Sequence, residues 1–190
     1  IVAHAVHVDP AEKALLRDTG TWVTHQPRSN MNNAVGAADV EGMLRLGIPV
    51  CLGNDGFSNN MWAEWKTAYL LHKVISGDPR SCQGFDVTRM AIDNNIMLSQ
   101  RYWPDQKIGY LAPGASADLI VVDYNPFTTF TTGNLPWHII FGFEVDVVDS
   151  TMVEGKWLMK NQRIMTFDEN EVIRKAAESA QEVWDRFNQV

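Results

Sequence analysis

Cysteine is scarce in this chain. Only Cys51 and Cys82 occur among 190 residues. Their spacing makes neither a thiolate metal site nor a redox pair, so a disulfide framework is excluded as the basis of the fold. Cys51 lies in an apolar run, where cysteine acts as a small hydrophobe, and this usage fits a cytoplasmic protein. Positive charge is also short: Lys and Arg number 16 against 23 Asp and Glu, for a net charge of −7. With no Lys/Arg cluster in view, neither nucleic acid nor an anionic membrane is an expected partner. Apolar runs stop far below the ~20 residues that span a bilayer. No repeat or low-complexity segment stands out. No signal-peptide pattern is visible, though a chain already under way at residue 1 would hide one. What remains, 45% hydrophobic and 21% charged, is the composition of an ordinary globular protein of one or two domains.

What is present is concentrated in Ile1 to Asn60. Three apolar runs each end in a polar residue able to reach a metal or a substrate: Ile1-Val-Ala-His4, Thr21-Trp-Val-Thr-His25 and Ile48-Pro-Val-Cys-Leu-Gly-Asn-Asp55. The first is expected as a buried strand over Ile1 to Val6, the second over Thr21 to Gln26, the third over Ile48 to Gly53. Between the first two, Asp9-Pro10-Ala-Glu12 has the spacing of a capping box with Pro at the first helical position. Leu15 and Leu16 give that helix an inner face and Gly20 ends it. A polar loop, Pro27 to Asn33, and a short helix, Ala38 to Leu46, separate the last two. Strand, helix, strand, helix, strand, with His, His and Asp at strand ends, is how a β/α barrel presents catalytic groups. A barrel needs eight such units and about 250 residues. The chain opens on Ile inside a strand pattern. The expectation is therefore the C-terminal part of a metal-dependent hydrolase, already running at residue 1.

Downstream, Met61 to Ser76 reads as a helix with Trp62, Trp65, Tyr69 and Ile75 near helical spacing. Asp86 is expected to N-cap another, to about Gln100. From Lys107 the chain reads as short strands and tight turns, including Ala117 to Asp123, Val145 to Val148, and a hairpin flanking Glu154-Gly155-Lys156. Asp168 to Phe187 is an amphipathic helix expected to pack on the body. The expected parts are thus residues 1–103 as barrel units, 104–165 as a β-rich portion and 166–190 as a terminal helix.

A hydrolytic metal site needs His and carboxylate ligands, an open position for water, and a group to move the proton. Asp55 is the best carboxylate, closing a strand between two glycines; the plain alternative is a turn-forming Asp. His4 alone would be read as a satisfied core histidine, but beside Asp55 it is placed at the barrel mouth. His25 is similar but is followed at once by a loop. His7 reads as a surface residue, and His72 and His138 as structural. Ser29, Asn30, Asn32 and Asn33 could line a substrate pocket or merely solvate a loop. Trp62 and Trp65 read as core.

These residues carry a resemblance. Ala3-His4-Ala-Val-His7, Thr24-His25-Gln-Pro-Arg-Ser29-Asn30 and Leu52-Gly-Asn-Asp55-Gly are similar to strands six, seven and eight of the amidohydrolase superfamily, in its deaminase and chlorohydrolase branch. Ile108-Gly109-Tyr-Leu-Ala-Pro113-Gly114-Ala-Ser-Ala117-Asp118-Leu-Ile-Val-Val resembles the strand set of its small β-sandwich. Asn30-Met-Asn-Asn-Ala-Val-Gly36 and Ala91-Ile-Asp-Asn-Asn95 look most like SsnA-type aminohydrolases. The Gly-Ala pair usual in the last barrel helix is replaced here by Asn95-Ile96.

The resemblance implies an α/β fold: the C-terminal part of a (β/α)8 TIM-type barrel plus a small β-sandwich domain. It implies one divalent metal ion, zinc ahead of iron, with Asp55 as metal ligand and proton shuttle. It gives His4 contact with hydroxide and substrate, and places His25, Ser29 and Asn30 near the substrate. The family's His-x-His, its strand-five His and the following Glu have no counterpart in this sequence. The implied reaction is hydrolysis of a C–N bond on a purine- or pyrimidine-like ring, with metal-bound hydroxide attacking the amino-substituted carbon. Alternatives are a dechlorinating or cyclic-amide hydrolase, or an inactive piece with a binding or assembly role. The expected partner is a small amino-heterocycle, and a homodimer is compatible with the family.

Overall fold

The structure, a computed structural model, describes residues 1–144 and 147–189. The fold is α/β. The chain divides into two compact units, Ile1–Ala115 with Tyr124–Val147, and Ser116–Asp123 with Val148–Val190.

The first unit is built on a parallel sheet of order β1-β2-β3, with β1 Val2–Ala3, β2 Val23–His25 and β3 Val50–Leu52. The register aligns Val2 with Val23 and Val23 with Val50. The crossovers are helical: α1 Pro10–Asp18 after β1, then α2 Pro27–Asn32 and α3 Val40–Arg45 after β2. α1 starts as its sequence dictates, Asp9 accepting from Glu12 N while Glu12 bonds back to Asp9 N. Two expectations fail here. β1 is exposed rather than buried, because among the described residues it pairs only with β2. α1 buries none of its residues, and Leu15 is exposed. The core lies instead under β2 and β3, where Val23, Val40, Met43, Ile48 and Val50 are buried completely.

β3 leads into α4 Met61–Ser76, whose Trp65 is buried as expected, while Trp62 is only half-buried. The segment expected as one helix from Asp86 is α5 Gly84–Thr88, a π-helical turn Arg89–Asp93, and α6 Asn94–Tyr102. Asp86 is not its N-cap: Gln83 is, and Asp86 accepts from Gln83 N as the third residue of a capping box. α6 finishes the sheet edge. Asn94 donates to Val50 O at 2.6 Å and Asn95 to Leu52 O at 3.2 Å. These carbonyls lie on the edge of β3 that does not pair with β2 and would otherwise be unsatisfied in the interior. Asn94 and Asn95 therefore tether the strand that leads to Asp55.

A helix that sequence reading missed, α7 Leu135–Gly142, packs on α4, with Tyr69 edge-on to Trp137 and Phe141. His138, expected in a strand-rich tail, is a buried helical residue whose Nδ1 lies 2.8 Å from the Tyr124 hydroxyl.

The second unit holds an antiparallel sheet of order β4-β5-β6-β7: Leu119–Val122, Val148–Val153, Lys156–Lys160 and Arg163–Ile164. The hairpin at Glu154-Gly155 turns with both residues at positive φ (47° and 76°), as a type I′ turn requires. Of the strand expected over Val145 to Val148, Val145 and Asp146 lie outside the described residues. α8 Glu169–Phe187, N-capped by Asp168, buries none of its residues. Among the described residues no helix is long and apolar enough to cross a membrane.

Candidate functional site

Parallel strands in register put three polar residues at one sheet end: His4 after β1, His25 closing β2, and Asp55 beyond β3. His4 turns out of its strand at φ 66°, its amide donating to Thr24 O (2.8 Å) and Gln26 Oε1 (3.1 Å). Asp55 also holds a left-handed backbone, φ 55°. Such conformations cost non-glycine residues energy and cluster at functional sites.

The side chains converge. His4 Nδ1 lies 2.8 Å from Asn30 Oδ1, and His4 Nε2 lies 3.5 Å from Asp55 Oδ2. Ser29 Oγ donates to the same Asp55 oxygen at 2.7 Å. The Ser29 hydrogen bond, with help from the Gly56 amide and His4, holds the Asp55 carboxyl below the usual range, so it is ionised at neutral pH. With the Asn30 oxygen facing Nδ1, that nitrogen carries the proton. Whenever Nε2 carries no proton, His4 aims its lone pair at a carboxylate. Two electron-pair donors facing each other call for a proton or a cation beside them.

The segment expected as a loop is the helix α2, with Pro27 at its start. That turn buries Ser29 and Asn30 and aims them at Asp55 and His4. Asn32 and Asn33 join Ser29, Asp55, Gly56 and Phe57 around a cavity of about 320 Å³. His25 is not part of that lining. Its ring is fully buried, and its Nε2 lies 3.1 Å from Nε2 of His72 on α4. Burial, and then the neighbouring His72 and His4, lower its pKa to about 3. Among the described residues its Nδ1 has no hydrogen-bond partner, nor has the buried Nδ2 of Asn30. His7 is exposed, as expected.

Sequence reasoning missed Arg28 and Glu64. Arg28 Nε donates to Glu64 Oε1 at 2.6 Å and its Nη2 to Ser58 O at 2.7 Å, while its guanidinium lies over the Phe57 ring. Glu64 is fully buried, and burial raises its pKa despite the Arg28 partner. Opposite charges so far apart in sequence gave no signal.

An amidohydrolase family model matches residues 1–158. The chain belongs to the amidohydrolase family. Among its relatives, a 5-methylthioadenosine/S-adenosylhomocysteine deaminase from Syntrophomonas wolfei is 35% identical over 96% of this chain and 43% of its own length. A 5'-deoxyadenosine deaminase from Methanosarcina mazei is 34% identical over 99% of this chain and 43% of its own. An adenosine deaminase from Xanthomonas campestris, solved with bound zinc, superposes with a TM-score of 0.78 at 23% identity, covering 99% of this chain and 42% of that one. An atrazine chlorohydrolase from Arthrobacter aurescens, in complex with zinc, gives a TM-score of 0.74 at 20% identity over 93% of this chain and 39% of that one. At those identities the structures share the fold. The chain spans less than half the length of these proteins.

The donor set can be tested against a metal. Among the described residues no group of three or more His, Cys, Asp or Glu side chains could hold one. Catalytic zinc sites take three protein ligands. Asp55 and His4 offer a carboxylate and an imidazole, the donors that divalent zinc and iron accept. They fit part of such a site.

Proposed function

We propose that this amidohydrolase chain belongs to an aminohydrolase that removes the amine of an adenosine-like heterocycle. The chain supplies the last barrel strands (residues 1–103), a portion (104–165) that carries the β-sandwich strands, and a terminal helix (166–190). The observation that carries the reading is the facing of His4 Nε2 and Asp55 Oδ2 at 3.5 Å, each braced from α2, by Asn30 and Ser29. The names of the relatives, deaminases of adenosine-type nucleosides, support the substrate class. The zinc in the structural neighbours supports a divalent metal, which this reading takes as zinc ahead of iron.

Asp55 would hold the metal, with other ligands contributed outside the described residues. When bound, a divalent ion makes water a competent nucleophile at neutral pH. Asp55, with Oδ2 held by Ser29, would take a proton from the attacking water and deliver it toward the departing amine. His4, its Nδ1 fixed by Asn30, presents Nε2 to the oxygen that adds to the ring. His25, outside the cavity lining, is a buried partner of His72. The composition supports a cytoplasmic setting and a small-molecule substrate in place of nucleic acid or membrane.

The test pairs two measurements on the full-length protein: metal per chain by elemental analysis, and ammonia release from a panel of aminopurine nucleosides. About one metal per chain with ammonia release is expected. Chloride release from a chlorotriazine without ammonia release would replace this reading by the dechlorinating one.

A further inference from the structure

We propose that Phe57, backed by Arg28, is the platform on which the ring of the substrate stacks. This rests on the reading of the site as one for an amino-substituted heterocycle.

The cavity beside Asp55 is polar on nearly every side: Ser29, Asn32, Asn33, Asp55 and Gly56 line it with Phe57. Those polar groups suit the edge of a heterocycle. Phe57 is the one aromatic face in the lining, and it sits two residues beyond the carboxylate. Phe57 stays partly exposed, at 38%. An apolar side chain on a polar turn gains little by facing water, and a planar substrate would cover it.

The turn is built to hold that ring still. The Arg28 guanidinium lies 5.0 Å from the ring centroid. The same guanidinium donates to Ser58 O (2.7 Å) and to Glu64 Oε1 (2.6 Å), and Glu64 is anchored, fully buried, on α4. From the other side Asn54 Nδ2 reaches Phe57 O (3.3 Å) and Asn59 Oδ1 (2.8 Å). Arg28 adjoins Ser29, which holds Asp55. One short helix therefore sets both the ring and the carboxylate, and a substrate stacked on Phe57 would present its edge to Asp55. Arg28 is a positioning residue in this arrangement. Only a fork-shaped cation reaches Ser58 and Glu64 together while covering a ring.

A second, larger cavity, about 470 Å³, shares no residue with this one. Its His138 is already engaged by Tyr124 and Thr128, so it offers no free polar group comparable to Asp55.

The probe is purine riboside, a planar nucleoside with no amine to lose, titrated calorimetrically into the full-length protein and its Phe57→Leu, Phe57→Trp and Arg28→Lys variants. Thermal melting confirms that each is folded. Leucine keeps the apolar contact and removes the π face, so Phe57→Leu should weaken binding about tenfold, within the range that base–aromatic stacking supplies. Phe57→Trp should bind at least as well as the wild type. Arg28→Lys should raise KM for a planar substrate several-fold with kcat little changed, because it loosens the platform and leaves the reacting groups in place. Equal binding by wild type and Phe57→Leu overturns the platform, and so does a wild type that does not bind the probe. A wild type that binds, is weakened by Phe57→Leu, and releases no ammonia from any aminopurine leaves the platform standing and removes the deaminase reading. Ammonia release unaffected by Phe57→Leu does the reverse.

Discussion

His4 Nε2 stands 3.5 Å from Asp55 Oδ2, and both residues hold left-handed backbone conformations at the ends of their segments. The two are tied to one short helix, α2, through Asn30 and Ser29. If the facing pair is the reacting centre, Asp55→Asn in the full-length protein keeps the size and loses the proton acceptor. Deaminase activity should fall by about 10³-fold or more, while the melting temperature changes little because the residue is exposed. Activity within tenfold of wild type would take Asp55 out of the chemistry.

The same backbone stores strain. Asp55 at φ 55° occupies a region glycine adopts freely. Asp55→Gly should abolish activity and yet leave stability equal or higher by up to about 1 kcal/mol. The urea midpoint measures it, and a clear loss of stability would show that the Ser29 hydrogen bond outweighs the strain.

Stability should depend on pH through His25. Burial lowers its folded-state pKa from 6.5 to about 3, and burial lowers that of its partner His72 as well. Between those two pH values the unfolded chain binds a proton that the native state refuses. Stability is therefore complete above about pH 6.5 and falls as pH drops, with a slope on the order of 1.4 kcal/mol per pH unit for His25. His25→Gln should flatten that slope in urea titrations taken at successive pH values. An unchanged slope would mean that other groups carry it.

Glu64 is fully buried and pairs with Arg28, whose side chain is 15% exposed. Glu64→Ala strands the guanidinium and removes the anchor of the turn after Asp55. The expected cost is about 3 kcal/mol, read as a shift in the denaturation midpoint. A loss below about 1 kcal/mol would place the pair among solvent-screened surface bridges.

Much of the layout was legible before the structure. The Asp9–Glu12 box and Pro10 specify the start of α1 by hydrogen bonds a few residues long. The Glu154-Gly155 hairpin and the extent of α4 are local in the same way. Two helices were not legible. Pro27 to Asn32 is polar enough to pass for a loop, and only its burial beneath the neighbouring elements gives Ser29 and Asn30 a helical turn. Leu135-Pro-Trp-His-Ile-Ile-Phe-Gly is apolar all round, so periodicity cannot tell strand from helix. Packing against α4 decides it.

The sequence by itself determined the order of strands and helices, and the rule that a polar residue following an apolar parallel strand stands at the sheet's C-terminal end. His4, His25 and Asp55 were therefore found together. Which of them meet was decided only in three dimensions. A strand end names a position, but side-chain direction depends on the backbone turn taken there. His4 and Asp55 turn at positive φ toward each other, whereas His25 stays in the ladder, is buried, and meets a histidine from a helix 47 residues away. The clamp of Arg28 on Glu64 and Ser58 likewise joins separate elements, and no local pattern encodes such a contact.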